Sequence, residues 1–210
     1  MNEPEIGSIL ADVRSYFDDK ISKFGPTHFG VGWNSAESQM LRFEQFLHLF
    51  GRQTRFSLND IGCGYGGLLD FLHSKSIDVD YLGTDVSNIM IEEALKLHAT
   101  GDRVCFEVSA KTERIADYAV ASGIFNVRMD VAHDDWTAHV LATVDAMHRS
   151  SRNGFAFNVL TKYSDKERMR DDLYYADPGF LFDLCKTTYS RNVALLHDYD
   201  LYEFTVIVKK

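Results

Sequence analysis

Asp60 stands two residues ahead of a glycine cluster, Gly62, Gly64, Gly66 and Gly67, and a second carboxylate, Asp85, lies 19 positions after Gly66. The glycines of LNDIGCGYGG let the backbone turn tightly and let a ligand approach with no Cβ in the way. Gly62, Gly64 and Gly67 also satisfy the dinucleotide pattern G-x-G-x-x-G, a weak signal by itself. A carboxylate at the position of Asp85 accepts hydrogen bonds from the vicinal hydroxyls of a ribose. Loop and acid together describe an adenosine site and leave the adenosine compound open.

Asp60 separates the alternatives. In a dinucleotide site the pyrophosphate lies against the helix after the glycines. A carboxylate at that strand tip repels it by about a few kcal/mol at moderate dielectric. S-adenosylmethionine has no phosphate, and its sulfonium and α-ammonium are cations that a carboxylate attracts. The plainer role for Asp60 is to cap or order the glycine loop. The 57 residues ahead of Leu58 also count against a dinucleotide domain, where the fingerprint comes close to the start.

Such a site needs a strand to deliver each carboxylate. Short apolar runs separated by helical stretches give strands over Phe56–Ile61, Tyr81–Thr84, Val104–Val108, Tyr118–Ser122 and Phe155–Leu160, the pattern of a parallel sheet covered on both faces. A helix comes after the first strand, with others over Asn88–His98, Thr137–Arg149 and Phe180–Thr187. The runs VALLHDYD and LYEFTVIVKK, with almost nothing between them, read as an antiparallel hairpin. Ahead of the sheet, residues 5–24 (Ile6, Ile9, Leu10, Val13, Phe17) and Ser38–Phe50 have helical spacing, the latter closed by Gly51. The fold class expected is α/β, doubly wound and mostly parallel, seven-stranded with a terminal antiparallel hairpin and an N-terminal helical extension. One domain is expected over residues 1–210, with helices and a lid-like loop over 1–51 and the core over 52–210.

The 210 residues can bury a sizeable core. The N-terminus lacks the basic-then-apolar order of a secretory signal, and no apolar stretch is long enough to span a bilayer, so the expectation is a soluble cytoplasmic protein, a monomer or homodimer, with no membrane partner. With 22 basic against 31 acidic residues, a net charge of −9 disfavours nucleic acid, whose affinity comes largely from cations on phosphates. Cys63, Cys105 and Cys185 are widely spaced and read as reduced, structural thiols. No His or Cys spacing suggests a metal, and Asp134-Asp135 and Asp171-Asp172 are adjacent pairs whose side chains need not converge.

From about Phe56 to Lys210 the chain resembles the class I S-adenosylmethionine-dependent methyltransferases of the seven-stranded Rossmann-like type. The resemblance implies that Asp60-Ile61-Gly62-Cys63-Gly64, with Gly66, surrounds the methionine part of the cofactor and that Asp85, with Val86 beside it, holds the ribose. It implies that the stretch Ala121-Ser122-Gly123-Ile124-Phe125-Asn126 passes beside the methionine and opens towards the acceptor, with S-adenosylhomocysteine as product. The family often has an acid after the third strand that bonds the adenine amino group. This chain has Ser109 and Ala110 there, which leaves adenine to Ser109 or a backbone amide. ASGIFNV, GFAFNVLT and LLHDYDLYEF are also similar to small bacterial methyltransferases of unknown acceptor.

Methyl transfer is an in-line displacement that asks the protein mainly for alignment. For an alcohol acceptor a general base is useful, and His133, His197 and His28 are the candidates. Tyr16, Phe17, Phe29 and Trp33 surround a Gly-rich loop that could close over the cofactor or simply pack the first helix on the sheet. Residues 161–180 form a long excursion at the carboxyl edge of the sheet, where Tyr163, Arg168, Tyr174 and Tyr175 are candidates, with Asn126, for a small-molecule acceptor pocket. The readings that compete with O-methylation of a sugar or metabolite are a binding or regulatory module without turnover and a nucleotide-linked oxidoreductase.

Overall fold

The computed structural model describes residues 3–210, with side chains from Ile9 onward, so Ile6 of the helical pattern lies outside the described side chains. Seven strands form one sheet in the order β3-β2-β1-β4-β5-β7-β6: β1 Arg55–Ile61, β2 Asp78–Asp85, β3 Val104–Val108, β4 Ala116–Ala121, β5 Ser151–Leu160, β6 Asn192–Leu196 and β7 Glu203–Lys209. β1 to β5 pair in parallel, and β7 enters antiparallel between β5 and β6. From β1 the chain goes first to β2 on one side and later to β4 on the other. The carboxyl ends of β1 and β4 therefore border the crevice where open α/β sheets bind ligands.

Both faces are covered, which is why the strands read as near-continuous apolar runs. On one face lie α2 (Ala36–Phe50), α3 (Gly67–Ser74) and α4 (Asn88–Leu97), whose Phe46, Leu72 and Ile91 pack with Leu58. On the other, α5 (His133–Arg149) and α6 (Pro178–Thr188) bring Trp136, Val140 and Leu181 against Ile61 and Phe157. The first helix, α1 (Glu3–Phe24), joins this second cluster through Val13. Residues 109–115, which join β3 to β4, contain no helix.

The local chemistry of the ends sets the helix boundaries. Ser35 caps α2 by accepting from the Ser38 amide at 3.1 Å, and Gly51, at φ 63°, ends it as its position implied. Ser87 caps α4 through the Met90 amide, and Asp177 caps α6 with Pro178 in its first turn.

Several boundaries differ from the sequence reading, with β2 starting at Asp78 and β5 at Ser151, ahead of the expected Tyr81 and Phe155. The terminal strands are separated by residues 197–202, because Tyr199 turns inward to share a 3.0 Å hydrogen bond with Thr205 and Asp200 adopts φ 57°. α5 starts at His133, not Thr137. Cys63 and Cys185 are buried free thiols, whereas Cys105 is exposed on the edge strand β3 and is not a core residue. No helix of the described residues is long and apolar enough to cross a membrane.

Candidate active site

β1 delivers Asp60 to the crevice with 3% of its surface exposed. Tyr81, from β2, donates to its carboxylate at 2.6 Å, yet burial outweighs that bond and pushes the Asp60 carboxyl up to about 7. The glycine loop is stitched to the tip of β2, where the amides of Gly62 and Cys63 both donate to the Thr84 carbonyl, at 2.7 and 2.9 Å. Asp85 ties the loop to the start of α4, accepting from the Gly64 amide and from the Ser87 amide at 2.9 Å each. Burial raises its carboxyl against the pull of those amides. The tip of β1, the glycine loop and the start of α4 are therefore one hydrogen-bonded unit with Asp85 at its centre.

A first cavity, open at its mouth to solvent, runs along this unit. Of the residues expected to hold the cofactor, Asp60, Gly62, Cys63, Gly64, Asp85, Val86, Ser109, Ala110, Ser122, Gly123 and Trp33 all line it. Gly66 does not. It sits at φ 87° as the N-cap of α3, facing His98 and Phe106, and Gly67 lines the cavity instead. The aromatic lid divides. Phe17 and Trp33 border the cavity, while Phe29 is 48% exposed and its ring lies tilted against Phe24 and His28.

A second cavity adjoins the first where Phe17, Val31, Trp33 and Gly123 line both. Gly123 has φ 77°, and a Cβ there would run into the Trp33 ring. Asn126, Arg168 and Tyr175 line the second cavity as expected. Two proposed acceptor contacts are corrected. Tyr174 turns the opposite way from its neighbour, as alternate residues of extended chain do, and is 2% exposed with its hydroxyl on Thr137. Tyr163 is 67% exposed and its ring lies beside His197.

The histidines proposed as base are corrected as well. His133 is in the first turn of α5, mostly in solvent and 3.5 Å from Asp134. His197 lies just beyond the end of β6, with its ring beside Tyr163 and Phe204, and lines neither cavity. His28 stacks on Phe29, outside both.

Sequence reasoning missed the polar floor of the second cavity. Arg42 of α2 donates twice to Glu203 of β7, at 2.8 and 2.7 Å, and its guanidinium lies 3.8 Å from the centre of the Trp33 ring. Asn126 donates to the same carboxylate at 3.2 Å and accepts from the Leu160 amide at 3.0 Å. Arg42 is 7% and Glu203 1% exposed. The available signal was a cation inside the apolar face of α2 and an acid opening the apolar run EFTVIV. His139 and Thr143 of α5, also unforeseen, line the first cavity.

A sheet of this order, with carboxylates at the tips of its first two strands around a glycine loop, defines a class I Rossmann-like methyltransferase. Residues 59–153 match the methyltransferase-domain family. Rv1506c of Mycobacterium tuberculosis, whose name provisionally makes it a methyltransferase, is 55% identical over 158 residues, covering 74% of this chain and 93% of that protein. The chain belongs to this family of S-adenosylmethionine-dependent methyltransferases. Among solved structures, magnesium protoporphyrin IX methyltransferase of Synechocystis with bound S-adenosylhomocysteine has a TM-score of 0.64 at 14% identity, covering 94% of this chain and 98% of that one. The DhpI-SAM-HEP complex has a TM-score of 0.61 at 16% identity, covering 99% and 98%.

The loop gives a direct test. Gly64 has φ 56°, and a Cβ there would stand 2.9 Å from Val31. For a β-branched residue such a backbone costs about 1–3 kcal/mol. Gly64→Val is expected to leave the chain folded, by circular dichroism, and to weaken S-adenosylhomocysteine by at least about tenfold in calorimetry. Unchanged affinity would show that the loop lies outside the cofactor site.

Proposed function

We propose that this methyltransferase transfers its methyl group to an oxygen of a small molecule seated in the second cavity. The observation that carries this reading is the junction of the two cavities at Phe17, Val31, Trp33 and Gly123. S-adenosylmethionine supplies a methyl group on a positively charged sulfur. The residues lining the first cavity suit it. Asp85 keeps lone pairs for the ribose hydroxyls after accepting its two amides, Asp60 offers a buried carboxylate to a cation, and Gly62, Gly64 and Gly123, all at positive φ, let Ile124, Val31 and Trp33 close against the loop. Phe17, Val31 and Trp33 exclude water from the junction, and the Asn126–Glu203–Arg42 floor orients the acceptor hydroxyl.

The second cavity, about 1120 Å³ with its open mouth, admits a sugar or metabolite. The solved structures are similar in fold alone, so the acceptor class is read from this chain's own cavity. Purified enzyme with methyl-labelled cofactor is expected to label small hydroxylated acceptors. Label appearing only in transfer RNA or in protein would reject the small-molecule reading. With a working acceptor, Asn126→Ala is expected to lower kcat/KM by about tenfold while S-adenosylhomocysteine affinity stays within about twofold. Equal loss in both would place Asn126 in the cofactor site.

A further inference from the structure

We propose that His139 of α5 reads the adenine ring of the cofactor, in place of the acid that this chain lacks after its third strand.

His139 is 7% exposed, lines the first cavity, and its ring makes no hydrogen bond among the described residues. The imidazole lies against Trp136, with 5.0 Å between ring centres. Among the described residues the ring nitrogens have no protein partner, and they border an open cavity, so they are available to a group bound there.

Position identifies the occupant. The cavities meet at Phe17, and α1 then runs along the first cavity through Val13 to Leu10, about 10 Å further on at the rise of a helix. His139 and Thr143 line the first cavity and not the second, which puts His139 on the cofactor side of the junction. The cofactor's methyl must face the junction, and its base is the part that extends away beyond the ribose.

The other polar side chains on that side are already committed. The Ser109 hydroxyl donates to the Lys111 carbonyl at 2.6 Å and accepts from the Lys111 amide at 3.2 Å, which closes its own turn. Thr143 donates to the His139 carbonyl at 3.0 Å. Burial lowers the basicity of the imidazole, so the ring is neutral and presents one N–H donor and one nitrogen acceptor. Adenine offers the complement, an amino donor beside ring-nitrogen acceptors. A carboxylate could only accept.

The test uses S-adenosylhomocysteine and adenosine as probes on the full chain. His139→Phe keeps the ring contact with Trp136 and removes both polar atoms, and it is expected to weaken both probes by the same factor of about ten. His139→Gln, which can donate and accept, is expected to recover most of that loss. In nitrogen-15 spectra of the histidine side chains, saturating S-adenosylhomocysteine is expected to shift the His139 ring nitrogens. Wild-type affinity in His139→Phe, a loss for S-adenosylhomocysteine that adenosine does not share, or His139 nitrogens unmoved at saturation would each overturn the proposal.

Discussion

Asp85→Ala is expected to weaken S-adenosylhomocysteine by at least about 100-fold, the largest loss from any single side chain in the site. The carboxylate does two things at once. It accepts from the Gly64 and Ser87 amides, which fixes the glycine loop against the start of α4, and its remaining lone pairs face the ribose hydroxyls of the proposed complex. Hydrogen bonds to a charged group are worth about 1.5–3 kcal/mol each, and each 1.4 kcal/mol is a factor of about ten in affinity. Losing two such bonds therefore removes at least two decades. Calorimetry measures it, with a thermal melt to verify folding. A folded Asp85→Ala protein that binds within about threefold of wild type would remove the ribose from this carboxylate.

Asp60→Asn is expected to move stability and affinity in opposite directions. The folded carboxyl titrates at about 7, above its ordinary 3.8, so the folded state holds a proton that the unfolded chain has released. That contribution to stability is fully present below about pH 4 and is lost as pH rises through 7. The amide variant has no charge to desolvate and can still accept from Tyr81, so its melting temperature is expected to exceed that of the wild type at pH 8. Cation binding runs the other way. With a value near 7, the ionised fraction of Asp60 rises about tenfold between pH 6 and 8, and wild-type affinity for S-adenosylmethionine is expected to rise with it. Asp60→Asn is expected to bind weakly and with a flat pH profile. A variant that keeps the wild-type profile would leave Asp60 as an orderer of the glycine loop alone.

Much of this site could be read along the chain because its parts are local. The first strand, glycine loop and helix are consecutive, and Asp85 ends the next strand, so spacing alone brought Asp60, Gly62, Gly64 and Asp85 together. Gly51 closed α2 for the same reason. Where contacts are long-range, the chain text was silent. Arg42 and Glu203 are 161 positions apart, and only the insertion of β7 beside β5 makes them neighbours. The same insertion moves His197 two strands away from the crevice, which no periodicity encodes. His139 is offset from the buried stripe of Trp136, Val140 and Val144 by a fraction of a turn, and it faces a cavity only because α1 also packs against this face. Tyr174 and Tyr175 show the limit from another side. Which of two adjacent tyrosines points inward is set by one residue of register.

The placement of β7 also orders events during synthesis. Among the described strands β6 pairs with β7 alone, so it joins the sheet only through β7. The cofactor half, built from β1, β2 and β4, can assemble on a nascent chain that still lacks Glu203. The floor of the second cavity cannot, because Arg42 gains Glu203 only with β7. Pairing β7 with β5 closes a long loop, the slow part of forming a sheet, so the Arg42–Glu203 floor of the second cavity is expected to form late in folding.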